Sequence, residues 1–203
     1  MVAIIDYGVG NLFSLKSSLE YIGAEVVVTS DKAVIHSADK LILPGVGAFE
    51  DASKKLRESG MADLITEEAK SGKYIMGICL GMQLLLEKSF EYGEHEGLGL
   101  IKGEIRPISE VILKDLKIPH IGWNALDFKG EKSRIFKYIK NGDFVYFVHS
   151  YYGAKCEENV IATSDYGYAL TAAVEKDNVF GCQFHPEKSG DVGLKILKAF
   201  CEL

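Results

Sequence analysis

In the first half of the chain, short continuous apolar runs alternate with stretches whose apolar residues recur every three or four positions. Residues 2–6 read as a buried strand. After the turn Tyr7-Gly8-Val9-Gly10, Leu12, Leu15, Leu19 and Ile22 mark one face of a helix that Gly23 stops. Val26-Val27-Val28 gives a second strand, and Lys40-Leu41-Ile42-Leu43 a third that runs straight into Pro44-Gly45-Val46-Gly47-Ala48-Phe49. A helical region follows over about 50–71. Tyr74-Ile75-Met76 then makes a fourth strand, leading through Gly77-Ile78-Cys79-Leu80-Gly81-Met82-Gln83 into a helix at 84–88. This alternation predicts an α/β fold with a doubly wound, mostly parallel sheet covered on both faces, which binds ligands at the carboxyl ends of its strands. The second half reads differently. Short strands at 101–105, 121–128, 144–148, 160–163 and 168–174, separated by polar turns, look like antiparallel additions. A last apolar strand at 179–184 delivers His185-Pro186-Glu187, and a helix carrying Val192, Leu194, Ile196, Leu197 and Phe200 follows. With no repeat and no Pro- or Ser-rich linker, residues 1–203 read as one domain.

Composition narrows the functional classes. Of the 203 residues 47% are hydrophobic, enough for a substantial core, and the net charge of -6 argues against a general binder of nucleic acid or anionic membrane. No apolar run reaches membrane-span length. The first residues lack the basic start and long apolar stretch of a signal peptide, so a cytosolic protein is expected. Cys79, Cys156, Cys182 and Cys201 are dispersed without a Cys-x-x-Cys pair, which suggests reduced thiols in place of a disulfide framework or a zinc site. Gly8-Val9-Gly10 is a weak dinucleotide signal, because Phe13 stands where a third glycine is needed; a tight strand-to-helix turn explains it as well.

The chemistry sits at strand ends. A cysteine where a strand turns sharply into a helix is lifted out of the sheet, with helix-terminal amides beside its sulfur to favour the thiolate. Gly77 and Gly81 flank Cys79 with the spacing of a nucleophile elbow. Taken alone, Cys79 is equally readable as a buried structural cysteine. The two glycines of Pro44-Gly45-Val46-Gly47 allow backbone amides to turn toward a ligand, as an oxyanion hole requires, although an ordinary strand-to-helix turn uses the same residues. His185 and Glu187 flank a proline that restricts the backbone, so the carboxylate can fix the imidazole tautomer and leave the other ring nitrogen as base. His36, His95 and His120 lack such an acid at a strand end and read as structural. Together these residues suggest acyl transfer through a thioester.

Pro44-Gly45-Val46-Gly47, Gly77 to Gln83 and His185-Pro186-Glu187, in that order and spacing, resemble the triad (class I) glutamine amidotransferases. Asp6-Tyr7-Gly8-Val9-Gly10-Asn11-Leu12, His120-Ile121-Gly122-Trp123-Asn124 and Phe147-Val148-His149-Ser150-Tyr151-Tyr152 narrow the similarity to the glutaminase subunits of imidazole glycerol phosphate synthases, across the whole chain. The resemblance implies that family's α/β fold. Cys79 would be the nucleophile on glutamine, His185 the acid and base, and Glu187 its orienter. The amides of Leu80 and of Val46-Gly47 would hold the oxyanion, with the loop amides turned away from it in the resting state, and Gln83, Ser150 and Tyr151 would lie near glutamine. It also implies a heterodimer with a (β/α)8-barrel cyclase that consumes the ammonia in histidine biosynthesis, with Asn11, Trp123, Tyr146 and Lys188 at the interface, and no metal or organic cofactor. Helix or strand packing is the alternative for Gln83, Ser150 and Tyr151, core packing for Trp123, and a solvated helix start for Lys188. Rival functions are a glutaminase feeding another synthase, for example in nucleotide-sugar modification, a non-catalytic interaction module, and a cysteine peptidase.

Overall fold

The computed structural model describes residues 1–113 and 115–203. The apolar runs become parallel strands: β1 (Val2–Ile5), β2 (Val26–Thr29), β3 (Lys40–Leu43) and β4 (Tyr74–Ile78). Between them lie α1 (Leu12–Tyr21), α2 (Lys32–Ser37), α3 (Phe49–Glu58) and α4 (Met61–Lys70), and β4 is followed at once by α5 (Leu80–Leu85). Two of these helices begin at side-chain caps. Asn11 accepts from the Ser14 amide and Asp31 from the amides of Ala33 and Val34, satisfying donors that have no partner inside the helix.

The second half contributes β5 (Lys88–Ser89), β6 (His95–Glu96), β7 (Glu104–Pro107), β8 (His120–Ala125), β9 (Asp127–Phe128), β10 (Phe144–His149), β11 (Tyr151–Ala154), β12 (Val160–Asp165), β13 (Ala169–Lys176), β14 (Val179–Cys182) and the closing helix α6 (Gly190–Cys201). Eight strands form the main sheet in the order β2-β1-β3-β4-β14-β13-β12-β9. The first five run parallel and the last three join antiparallel. Strand alternation sends successive residues to opposite faces. Ala3, Ile5, Leu41, Leu43 and Ile75 pack under α3, α4 and α5, whereas Val2, Ile4, Ile42, Met76 and Ile78 pack under α1 and α6.

Several expectations are corrected in detail. The helical region 50–71 is two helices, because Gly60 takes a left-handed φ of 68° between them. The helix after Cys79 begins at Leu80 and stops at Leu85 in place of running over 84–88. Leu86 is extended and the Glu87 amide donates to the Gly103 carbonyl, so Lys88–Ser89 is a strand; the run Leu84-Leu85-Leu86 fits buried helix or buried strand equally well. The strand read at 101–105 is Glu104–Pro107, displaced by Gly103 with φ 135°. The segment 121–128 divides between two sheets, β8 pairing with β10 and β9 with β12. The additions are not all antiparallel, since β5 pairs parallel with β7 in a separate four-stranded sheet ordered β11-β7-β5-β6.

What this topology does for function lies at one end of three neighbouring strands. β3, β4 and β14 run side by side in parallel, with Leu43 opposite Gly77 and Ile78 opposite Cys182. Their carboxyl ends therefore release the Pro44 loop, Cys79 and the Gln183–His185 segment at the same level, where an open α/β sheet binds its ligands.

Candidate active site

Cys79 takes φ 54° and ψ −112°, a left-handed backbone that non-glycine residues adopt only when their surroundings enforce it. Its amide donates to the Cys182 carbonyl at 2.7 Å, extending the β4–β14 ladder, and its carbonyl accepts from Gln83 in the first turn of α5. The turn is tight because its glycines pack against neighbouring backbone. A Cβ on Gly77 would lie 2.6 Å from the Gly81 carbonyl oxygen, one on Gly81 1.8 Å from the Leu43 oxygen, and one on Gly45 2.8 Å from the Gly81 nitrogen. The elbow and the Pro44 loop are thus in backbone contact. Tyr7, at the end of β1, holds that loop by donating its buried hydroxyl to the Pro44 carbonyl at 2.8 Å. Burial, together with the nearby Cys79, raises the Tyr7 pKa well above its usual value, so the hydroxyl stays a donor.

His185 and Glu187 are joined Nδ1 to Oε1 at 2.8 Å, with both side chains 3% exposed. Burial pulls the imidazole pKa down, but hydrogen bonding with Cys79 and Glu187 outweighs it and lifts the value to about 9. The imidazole thus lies between sulfur and carboxylate, and the fixed Nδ1 contact leaves Nε2 for the sulfur. Its backbone is fixed from β10. The His185 amide donates to the Tyr146 carbonyl, the Tyr146 amide to Ser189 Oγ, and Ser189 Oγ to the His185 carbonyl. Glu187 Oε2 is buried with no hydrogen-bond partner among the described residues.

Cys79 and His185 line a cavity of about 550 Å³ with Val46, Gly47, Leu80, Gln83, Ser150, Tyr151 and Lys188. Of the residues singled out in the sequence, Glu187 lies behind His185, and Asn11, Trp123 and Tyr146 lie outside the lining. Asn11 caps α1. Trp123 is 54% exposed on β8, opposite Tyr146 on β10 with ring centroids 6.1 Å apart, so it is no core residue. The Gln83 nitrogen is committed to protein, donating to Gln183 Oε1 at 3.0 Å and to the Tyr151 carbonyl at 3.4 Å. Among the described residues lining the cavity, Glu91 supplies the one carboxylate, and its Oε2 accepts from the Phe49 amide at 2.6 Å. Sequence reading missed Glu91, which sits in a polar turn, and Gln183, which is hidden inside an apolar run.

His149 also lines the cavity and was not singled out. It donates from Nδ1 to the Tyr151 carbonyl at 2.7 Å, and its Nε2 lies 3.0 Å from His120 Nδ1. Because a carbonyl only accepts, His149 Nε2 must accept from His120 in the neutral pair. Burial pushes both pKa values down to about 4. The folded state therefore binds fewer protons than the unfolded chain between pH 4 and 6.5, so this contribution is complete above about 6.5 and lost as pH falls. From the shift at His149, the loss amounts to roughly 3 kcal/mol by pH 4. Urea denaturation should show stability falling from pH 7 to 5, and a His149→Gln variant, which keeps the buried His120, should show a profile about half as steep. Equal slopes in the two proteins would refute this assignment.

No helix among the described residues is long and apolar enough to cross a membrane, and none of them form a cluster of His, Cys, Asp or Glu suited to a metal. A thiol on a strand-to-helix elbow, facing an imidazole held by a buried carboxylate, is equipped for acyl transfer through a thioester. The chain belongs to the class I glutamine amidotransferase family, whose profile, described as "Glutamine amidotransferase class-I", matches residues 3–202. It is 52% identical to the imidazole glycerol phosphate synthase subunit HisH of Caldanaerobacter subterraneus subsp. tengcongensis, covering 100% of this chain and 98% of that one. It is 50% identical to the protein of the same name from Wolinella succinogenes, covering 100% of both. A crystal structure of a glutamine amidotransferase superposes with a TM-score of 0.77 at 20% identity, covering 100% of both chains, a likeness of fold.

Proposed function

We propose that this chain is the glutaminase subunit of an imidazole glycerol phosphate synthase, releasing ammonia from glutamine for a cyclase partner in histidine biosynthesis. The observation that carries this reading is the convergence of Cys79, His185 and Glu187 at the ends of adjacent parallel strands, in a chain similar over its full length to subunits of that synthase. Residues 1–203 act as one amidotransferase domain, working in the cytosol without metal or organic cofactor.

The Cys79 sulfur attacks the side-chain amide carbon of glutamine after its proton passes to His185 Nε2. The amides of Leu80 and of the Val46-Gly47 segment receive the oxyanion. Leu80 opens a helix, so its N–H has no intrahelical partner, and the loop amides of Val46 and Gly47 donate to no other described residue. His185 then protonates the departing nitrogen, ammonia leaves, and a water deprotonated by the same imidazole attacks the thioester to give glutamate and the free thiol. Glutamine also carries an ammonium and a carboxylate. Glu91 receives the ammonium, and Gln83, Ser150 and Tyr151 wall the substrate's chain.

Ammonia that reaches bulk water at neutral pH becomes ammonium and is no longer a nucleophile, so a synthetic glutaminase must hand it over inside an assembly. The acceptor site lies on a (β/α)8-barrel cyclase docked over Asn11, Trp123, Tyr146 and Lys188. Trp123 rests 3.8 Å from the position of a Cβ on Gly190, just past Lys188, and the Tyr146 backbone holds His185, so docking there reaches the base directly. Trp123→Ala should weaken cyclase binding about 30-fold in calorimetry, since an exposed aromatic anchor typically contributes about 2 kcal/mol to an interface, while leaving the melting temperature of the isolated chain unchanged. An unaltered dissociation constant would remove Trp123 from the interface.

The deciding assay is glutamate release from glutamine with and without the histidine-pathway cyclase and its nucleotide ligand. Strong stimulation by that pair supports the proposal. Stimulation only by a different synthase would reassign the acceptor.

A further inference from the structure

A buried carboxamide touches the Cys79 sulfur. Gln183, the residue after β14, is fully buried, and its Nε2 lies 3.8 Å from Cys79 Sγ. Its main chain is locked into the sheet by a 2.8 Å bond from its amide to the Ala172 carbonyl. The orientation of its carboxamide follows from a chain of contacts that ends on backbone. The Tyr151 carbonyl can only accept, so the Gln83 end facing it at 3.4 Å is the NH2 group. The same nitrogen lies 3.0 Å from the Gln183 carboxamide, which must present its oxygen there and therefore turns its own NH2 toward the sulfur.

The geometry points to Gln183 as a catalytic residue that donates a hydrogen bond to the Cys79 thiolate, its donor end held toward sulfur by Gln83 and the Tyr151 carbonyl. This inference deepens the glutaminase reading and rests on it for its role in turnover. When the thiol proton moves to His185, negative charge appears on a sulfur that is nearly shut off from water, at 8% exposure for Cys79. A fixed N–H donor favours that charged form and lowers the pH at which it appears, because hydrogen bonds to charged partners are the stronger ones. Gln183 transfers no proton itself. It also explains why a glutamine interrupts an otherwise apolar strand end. A neutral hydrophobic side chain would fill the space but would remove this side-chain donor from the anion, leaving the imidazolium and the helix-terminal amides.

The test titrates the thiolate without glutamine. Iodoacetamide alkylation of Cys79 in the full-length chain is followed by mass spectrometry of its peptide from pH 5 to 10. Gln183→Met, similar in size and lacking the donor, should move the midpoint up by about one pH unit and slow alkylation at pH 7 about tenfold, while matching wild type at pH 10. Cyclase-activated turnover of the same variant should fall in proportion at pH 7 and recover as pH rises. An unchanged midpoint with full alkylation at pH 10 overturns the proposal, because a purely packing role leaves thiolate formation alone. Should Gln183→Met fail to fold, Gln183→Glu keeps the acceptor for Gln83 but faces the sulfur with a carboxyl group. Its midpoint should rise at least as far, and an unshifted midpoint there overturns the proposal equally. Variants that shift as described beside a wild-type chain that releases no glutamate with any cyclase would sink the glutaminase reading and leave the sulfur contact standing.

Discussion

Cys79→Ala should reduce cyclase-activated glutamate release by at least about 10⁴-fold, a loss of roughly 5.5 kcal/mol of transition-state stabilisation. Removing the sulfur eliminates the covalent route itself. His185, Glu187 and the loop amides remain, but they have no bound nucleophile to act on. The alanine should leave the fold intact, since the elbow's amide and carbonyl bonds to Cys182 and Gln83 belong to the backbone. The left-handed angles at this position hold for alanine as they do for cysteine, because the glycines packed around the turn, and not the thiol, impose them. Binding to the cyclase should therefore be unchanged, and the complex should still make product from high concentrations of ammonium salt at alkaline pH, where free ammonia reaches the acceptor site unaided. Coupled product formation measured with glutamine and then with ammonium separates the two functions. If the variant retains more than about 1% of the glutamine-dependent rate, the thioester mechanism is wrong.

Gly81→Ala should have the largest effect on stability, above about 4 kcal/mol, enough to consume a large part of what typically holds a domain folded. The added Cβ would stand 1.8 Å from the Leu43 carbonyl oxygen and 2.8 Å from the Leu43 carbonyl carbon, both backbone atoms at the end of a central strand that has β1 on one side and β4 on the other. No rotamer change relieves such a clash. Either β3 shifts or the elbow opens, and each separates the Pro44 loop from Cys79. Gly153→Ala is the matched control, because its Cβ would meet only side-chain atoms, the Cys156 sulfur at 3.3 Å and Leu86 Cδ2 and Met82 Cε at 3.5 Å, and side chains can give way. Urea denaturation of both variants checks the difference. Equal midpoints would mean that the close packing at the elbow carries little energy.

Sequence reading recovered the main parallel strands because they spell continuous apolar runs between turns, buried on both faces in β1, β3, β4 and β14 and partly buried at the β2 edge. It blurred the second half for the converse reason. Lys88–Ser89 and His95–Glu96 are two-residue strands whose composition is that of loops, and 121–128 carries a single pattern although Leu126 sits where the chain leaves one sheet for another. Cys79, His185 and Glu187 were legible because each lies within two residues of a glycine or proline at the end of an apolar run. Glu91, His149 and Gln183 were not, because a carboxylate in a turn, a histidine in an alternating strand and a glutamine in an apolar segment carry no local mark of their partners.

Local chemistry along the chain was enough to determine the strand–turn–helix elbow at Cys79, the restricted pairing of His185 with Glu187, and the two-sided burial of the sheet, since all three depend on neighbours within a few residues. Which strands lie adjacent was decided only by the tertiary structure. β3, β4 and β14 are separated by long stretches of chain, and their side-by-side placement brings the Pro44 loop, the sulfur and the imidazole to one level. The orientation of the Gln183 carboxamide was likewise decided there, by a carbonyl on β11, because a hydrogen bond's direction is fixed by the group at its far end and not by the residue that makes it.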